Sequence, residues 1–266
     1  MTTMMKKLGA SVQVLLKAAV LCVAATGLLV VAASAHAQSV QNGGFETTTN
    51  GYGQISNGSI PGASVGVTAV TNWTTGGYNF VMDATNAQSG VTSQYGLNDV
   101  ALWTSLNGGT GTVAASPDGG NFVALDGDWL TGAISQSVTG LTPGNYAVSF
   151  YWAASQQAGF YGATQQSLTV SLGSQSQTTS TYSLPSQGFS GWMAQTDTFT
   201  ASSSSEVLSF LANGNVQVPP FVLLDGVSIT RVPEGGAATI YLLLGGAVCF
   251  GSMFLIQRKK LGASQR

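Results

Sequence analysis

Between residues 38 and 230 of this 266-residue chain, carboxylates are the only charged side chains with which chemistry can be done. That stretch contains no Lys, Arg, His or Cys and holds nine of the ten acidic residues, for a formal charge of −9. A Ser–His–Asp triad, a cysteine nucleophile, a His/Cys zinc site and a lysine Schiff base are thereby excluded from it. Nucleic acid is excluded as a partner, because phosphate affinity comes from Lys and Arg and the field here is repulsive. No glycine-rich phosphate loop with its lysine occurs, and Gly108, Gly109 and Gly111 read as a turn.

Three uses remain for the acidic groups. Asp126 and Asp128 are the nearest pair in sequence. Two carboxylates roughly 5 to 9.5 Å apart can hydrolyse a glycoside. Separated by a single glycine, they more often build a turn, because Asp bonds its own backbone there. Calcium is a second use, since it takes carboxylate and carbonyl oxygens in flexible geometry and suits an acidic domain. Sugar binding is a third, and it needs aromatic platforms beside polar groups. Trp129 and Tyr161 fall in expected loops, where binding residues concentrate. With Asp126 and Asp128 they form the candidate glycan-binding set. Trp73, Trp152 and Trp192 fall in strand-like runs and are expected to pack.

The elements that must position these residues follow from periodicity. Tyr146, Val148, Phe150 and Trp152 share one face of an alternating run, with Ala147, Ser149 and Tyr151 on the other. Pro143 and Gly144 suit a type II turn leading into it from a strand over 133–138. Further strands are predicted at 121–126, 167–172, 195–200, 206–211 and 221–230, and a first one at 39–45. Ser202 to Ser205 reads as a hairpin loop, and 51–66 as a long irregular loop. No window of helical period competes. The pattern predicts an all-β, antiparallel jelly-roll β-sandwich. At 193 residues the segment has the size of one domain, large enough to do without disulfides.

Both ends carry different signals. Lys6 and Lys7 precede an apolar run that closes on Ala35, His36 and Ala37, which predicts a secretory signal peptide over 1–37 cut after Ala37. Residues 237–256 are uncharged and apolar, long enough for a transmembrane helix, and Arg258, Lys259 and Lys260 follow as a basic stop-transfer cluster. Immediately before that helix stands the motif Val232, Pro233, Glu234, Gly235, Gly236. The sandwich is thus expected over 38–230, with a sorting region over 231–266 made of that motif, the helix and the basic tail.

The order of short motif, spanning helix and basic cluster resembles the PEP-CTERM sorting signals that bacterial exosortases process. Pro-Glu-Gly replaces the usual Pro-Glu-Pro, which is closer to the variant signals of the Val-Pro-Asp-Ser-Gly type. The resemblance implies an exosortase-type enzyme as partner, transient residence in the inner membrane of a Gram-negative bacterium, and delivery to the cell surface or extracellular matrix. The middle of the chain also resembles the galactose-binding-like jelly rolls common among carbohydrate-binding modules. The phrases that carry this are Asn42 to Glu46, Ser116 to Asp126, Gln136 to Tyr146 and Leu224 to Ile229. It implies a structural Ca²⁺ joining the first strand to the last, for which Glu46 and Asp225 are the candidates. An ordinary turn cap at Glu46 and an ordinary hydrogen bond at Asp225 are the alternative. The sequence reading therefore places first a non-enzymatic structural or adhesive matrix protein, second a module engaging matrix polysaccharide, and last a carboxylate-dependent glycosidase.

Overall fold

Alternation of apolar and polar residues produces strands with one buried face, and most of the predicted strands are present. The computed structural model describes residues 40–56, 67–215 and 218–233. In chain order the elements are β1 (Gly53–Gln54), β2 (Thr74–Thr75), β3 (Phe80–Met82), α1 (Asn86–Ser89), β4 (Phe122–Asp126), β5 (Ile134–Thr139) and β6 (Gly144–Gln156). They continue with β7 (Thr164–Leu172), β8 (Gln175–Thr178), β9 (Tyr182–Leu184), β10 (Met193–Ala201), β11 (Ser205–Gly214) and β12 (Pro220–Arg231). One antiparallel sheet has the order β1-β3-β4-β12-β6-β10, and the other the order β2-β5-β11-β7-β8, with β9 also on β7. The predicted sandwich is therefore what forms. The signal segment, Glu234 to Gly236 of the motif, the 237–256 helix and the basic tail lie outside the described residues. Among the described residues no helix is long and apolar enough to cross a membrane.

The main core fills the space between the sheets. Tyr146, Val148, Phe150 and Trp152 point into it together, against Leu168, Val170, Leu208 and Phe210 of the facing sheet. Phe150 and Phe210 meet edge to face across the layers at 5.3 Å. Each such side chain contributes about 1.5–3 kcal/mol by leaving water. Trp73 and Trp152 are core residues, as expected, and Trp192 packs partly buried against a second cluster.

That second cluster lies on the outer face of the first sheet. Phe122, Ala124, Ala153, Phe221 and Leu223 point outward from β4, β6 and β12, and Tyr78, Met82, Ala87, Val91, Leu102 and Val113 cover them. The cover comes from β3 and the residue stretch leading into it, and from the excursion between β3 and β4, which includes α1. Because the sheet is buried on both faces here, β4 is buried at every residue instead of alternating.

Two sequence expectations are corrected. Residues 40–45 form a turn, not a first strand: Asn42 and Phe45 have φ of 54° and 58°, which no strand accommodates. The Asn42 side chain holds the turn by accepting from Thr47 N–H and donating to the carbonyls of Thr47 and Thr71. The Ser202 to Ser205 run does not close a hairpin, because β10 and β11 belong to opposite sheets. It is a crossing, held by Glu206, whose Oε1 accepts from the N–H groups of Ser202 and Ser203. Sequence alternation is blind to this distinction, since either connection reverses the chain between two half-buried strands. Residues 57–66 of the expected long loop lie outside the described residues, and its start contains β1.

The β5–β6 connection, with Pro143 and Gly144, also passes from one sheet to the other. Tyr146 pins this corner: its hydroxyl accepts from Thr142 N–H at 3.0 Å and donates to Thr142 C=O at 3.1 Å. Tyr146→Phe keeps the buried ring and removes both bonds. Urea unfolding is expected to show a loss of about 1 kcal/mol with unchanged far-UV circular dichroism; an unaltered midpoint would mean that the corner holds without its hydroxyl.

Candidate functional site

The chain segment after β4 must turn sharply, and Asp126 makes it do so. Its Oδ1 accepts from the N–H groups of Asp128 and Trp129, at 3.0 and 3.3 Å, and its Oδ2 from Leu130 at 2.7 Å. The carboxylate is 2% exposed, and both its oxygens are engaged by the backbone. Asp126 is thus a turn former, the ordinary use of an Asp-Gly-Asp sequence. Asn79 anchors the same turn from the neighbouring strand pair, accepting from Asp126 N–H and donating to Gly132 C=O.

The turn projects Trp129 outward, 58% exposed, where it meets an aromatic cluster. Its ring stands edge-on to Tyr78 at 5.0 Å and tilted against Tyr95 at 5.9 Å. Together with Phe160, Phe221, Pro219, Gln157 and Asp128 these residues line a solvent-open pocket of about 390 Å³ at one end of the first sheet. Burial pushes the Tyr78 phenol up to about 12, helped by the charges of Asp99 and Asp126. It therefore stays protonated at any physiological pH. The pocket offers apolar ring faces bordered by a few polar groups, the usual character of a small-ligand site. The sequence set placed Trp129, Asp126 and Asp128 here. It missed Tyr78, Tyr95, Gln157 and Phe160, whose convergence depends on three separate loops. Tyr161 follows the pocket residue Phe160 on the loop after β6, its ring tilted against Trp103 at 5.3 Å.

A second polar site lies further along β12. Two residues of this strand oppose one of β6 between Asp225 and Ser228, a β-bulge formed with Gly226 at φ 60°. A side chain at Gly226 would run into the Tyr151 ring, so the bulge needs glycine twice over. The bulge leaves Asp225 on the outer face, 0% exposed, with no hydrogen-bond partner for either carboxylate oxygen. A buried and unpartnered carboxylate is costly and demands a reason. Asp118 is its neighbour: Asp118 Oδ2 and Asp225 Oδ1 both lie within 4 Å of the point where a Cβ on Gly44 would stand. Glu46 approaches from the turn at 40–45, where its Oε1 accepts from Asn121 N–H at 2.7 Å. A groove of about 460 Å³ lined by Asp118, Tyr151, Gly44 and Gly226 opens beside them.

Desolvation pushes the Asp225 carboxyl from 3.8 up to about 7, and the charges of Asp118 and Glu46 add to the rise. The Ser116 hydroxyl and Gly226 N–H moderate it without completing a hydrogen bond of ordinary geometry. Glu46 and Asp225, paired in the sequence reading, are thus brought toward each other, and Asp118 joins them. No ready-made metal cage of three or more acidic, His or Cys side chains is formed among the described residues. Asp118 was legible only as part of a turn phrase, since nothing in sequence tells which strand a turn will face.

No family model matches the sequence, and no curated protein matches it. Solved structures share similarity of shape. A TmCBM61 module in complex with β-1,4-galactotriose aligns with 73% of this chain and 99% of its own, at 14% identity and a TM-score of 0.41. A family 35 carbohydrate binding module from Clostridium thermocellum aligns over 60% and 98%, at 12% identity and a TM-score of 0.30. An arabinose-bound MgGH51 α-L-arabinofuranosidase aligns over 73% of this chain but 26% of its own, at 13% identity and a TM-score of 0.38.

The buried carboxyl makes the stability of the metal-free protein pH-dependent. Folded Asp225 holds its proton up to about pH 7, whereas the unfolded chain releases it near 3.8. The folded state therefore binds the extra proton between these values, and stability falls as pH rises through that window. Thermal midpoints in EDTA, compared between the wild type and Asp225→Asn, are expected to diverge from about pH 4 to about pH 7, with the variant gaining on the wild type. Parallel curves would mean that Asp225 ionises freely in the fold.

Proposed function

We propose that this chain is an exported, non-catalytic carbohydrate-binding protein whose jelly-roll-like sandwich presents the Trp129 pocket to a polysaccharide. The observation that carries this reading is the pocket itself: aromatic rings of Tyr78, Tyr95, Trp129 and Phe160 bordered by Asp128 and Gln157. Sugar rings present C–H faces that stack on aromatics and hydroxyls that bond to such polar groups. The rings are held by one another and by the Asp126 turn, so little ordering is required on binding. The hydrolytic alternative is disfavoured because Asp126 spends both oxygens on backbone N–H groups and cannot serve as acid or base without opening its turn.

Binding by this pocket stands ahead of a purely structural or adhesive role. Retention of matrix polysaccharide by a surface protein would itself be adhesive. Export by the 1–37 signal peptide and release by an exosortase-type enzyme at the Val232 to Gly236 motif complete the proposal. Mass spectrometry of the native protein should find termini at Gln38 and near Glu234. A chain still carrying the 237–256 helix would contradict the sorting step.

Calcium belongs to the same proposal in a structural capacity. Asp225, Asp118 and Glu46 are the residues that would hold Ca²⁺, and the unpartnered buried carboxylate of Asp225 is what fits them for it. A bound cation would supply the charge that the protein itself lacks there, tying the turn at 40–45 and the turn before β4 to β12. At pH 8, millimolar calcium is expected to raise the thermal midpoint over EDTA by several degrees in the wild type and not in Asp225→Asn. An identical midpoint in the wild type with and without calcium would remove the cation from the proposal.

Affinity electrophoresis against β-1,4-galactan, β-1,3-glucan and xylan tests the binding reading. Retardation is expected on at least one of them. Trp129→Ala should weaken it by about tenfold or more, the scale of an aromatic hot spot, while leaving the thermal midpoint nearly unchanged. Free migration through every gel would leave the structural role standing instead.

A further inference from the structure

Tyr161 is 67% exposed, yet it is built like a fixed part. Its ring leans at a tilt of 55° against Trp103, which is 5% exposed and donates its indole N–H to Phe160 C=O at 2.8 Å. The same carbonyl accepts from Gln156 Nε2 at 2.9 Å. Two donors on one oxygen clamp the loop after β6 at the residue just before Tyr161. Gln156 is itself 0% exposed, and its Oε1 accepts from Gln187 N–H, so the clamp is anchored in the fold. Phe160, the clamped residue, lines the Trp129 pocket. Phe160 thus shares the pocket with Trp129, which comes from the turn after β4, and Tyr161 follows Phe160 directly in the loop after β6. Exposed rings supported this way lose little freedom when something stacks on them.

Charge narrows what that something is. Arg231 is the only cation among the described residues. It donates to Pro143 C=O at the far end of β12, about 36 Å of strand from Pro220 at the pocket. The pocket itself carries Asp126 and Asp128. A uronate or sulfated chain would meet the Asp128 carboxylate with no cation of the described residues beside it, whereas a neutral chain has nothing to be repelled.

We propose that Tyr161 on Trp103 is a second sugar subsite, and that the protein binds the interior of a neutral glycan chain laid from Trp129 to Tyr161. This rests on the carbohydrate-binding reading and deepens it by assigning ligand class and length. Trp129 holds one or two sugars, and Tyr161 is reached only by a longer chain.

Calorimetry of the native protein with β-1,4-galactan and β-1,3-glucan fragments of two and six sugars, and with a six-unit oligogalacturonate, tests it. The neutral six-unit fragment should bind about tenfold more tightly than the two-unit one, the scale of one added aromatic stack. Tyr161→Ala should erase that advantage while leaving the two-unit affinity as it was, and Tyr161→Phe, which keeps the ring, should preserve it. The oligogalacturonate should not bind. An advantage for length that survives Tyr161→Ala, or uronate binding on a par with the neutral fragment, overturns the proposal while leaving a single-pocket module intact. Binding of the two-unit fragment unaffected by Trp129→Ala would instead sink the carbohydrate site at Trp129, and the subsite with it.

Discussion

Burial of the first sheet on both faces is the constraint from which the rest of this molecule follows. The inner face packs on the second sheet, as in any sandwich, but Phe122, Ala124, Phe221 and Leu223 make the outer face apolar as well. That face cannot be left to water, and the long excursion between β3 and β4 exists to cover it. In doing so the excursion delivers Tyr95 and Trp103, and the segment leading into β3 delivers Tyr78, to the end of the sheet where β4 stops and β12 begins. The aromatic pocket is a consequence of that cover. Its rings continue the second core outward until it reaches solvent, which makes them rigid and exposed together.

The scarcity of cations among the described residues shapes the polar half of the structure as strongly. With Arg231 the only lysine or arginine among the described residues, amide side chains perform much of the long-range cross-linking. Gln136 donates to the carbonyls of Gln41 and Asn72 and accepts from Gln41 N–H, stitching three distant segments. Gln175 and Gln177 reach from edge strand β8 to the backbone of Thr200 and Thr198 on edge strand β10, closing the side of the sandwich. Asp197 points inward from the same edge, 5% exposed, a further obstacle to edge-to-edge pairing. Neutral amides keep their hydrogen bonds in any salt concentration.

The acidic residues divide accordingly. Asp126 is buried but fully occupied by backbone donors, so its charge is already compensated and it acts as a structural pin. Asp225 is buried to the same degree with nothing compensating it, beside Asp118 and Glu46. The same side chain type therefore yields a turn in one place and a demand for a proton or a cation in the other. The difference lies in whether the following backbone curls back toward the carboxylate, as after Asp126, or bulges past it, as at Gly226.

The sequence alone determined the strands with clean alternation, such as Tyr146 to Trp152, because a period of two residues is imprinted by a single buried face. It determined which chemistry was impossible, because a missing residue type is missing in every fold. It also marked Trp129 as exposed and Trp152 as core, since loop and strand contexts differ locally. The failures have one cause: the property in question depended on a partner far along the chain. The turn at Asn42 is decided by Thr71 and Trp73, and the crossing at Ser202 by the choice of sheet for β11. The assembly of Tyr78, Tyr95, Trp129 and Phe160, and the approach of Asp118 to Asp225, were settled only when strands distant in sequence became neighbours. Periodicity reports which way a side chain faces, whereas only tertiary packing decides what it faces.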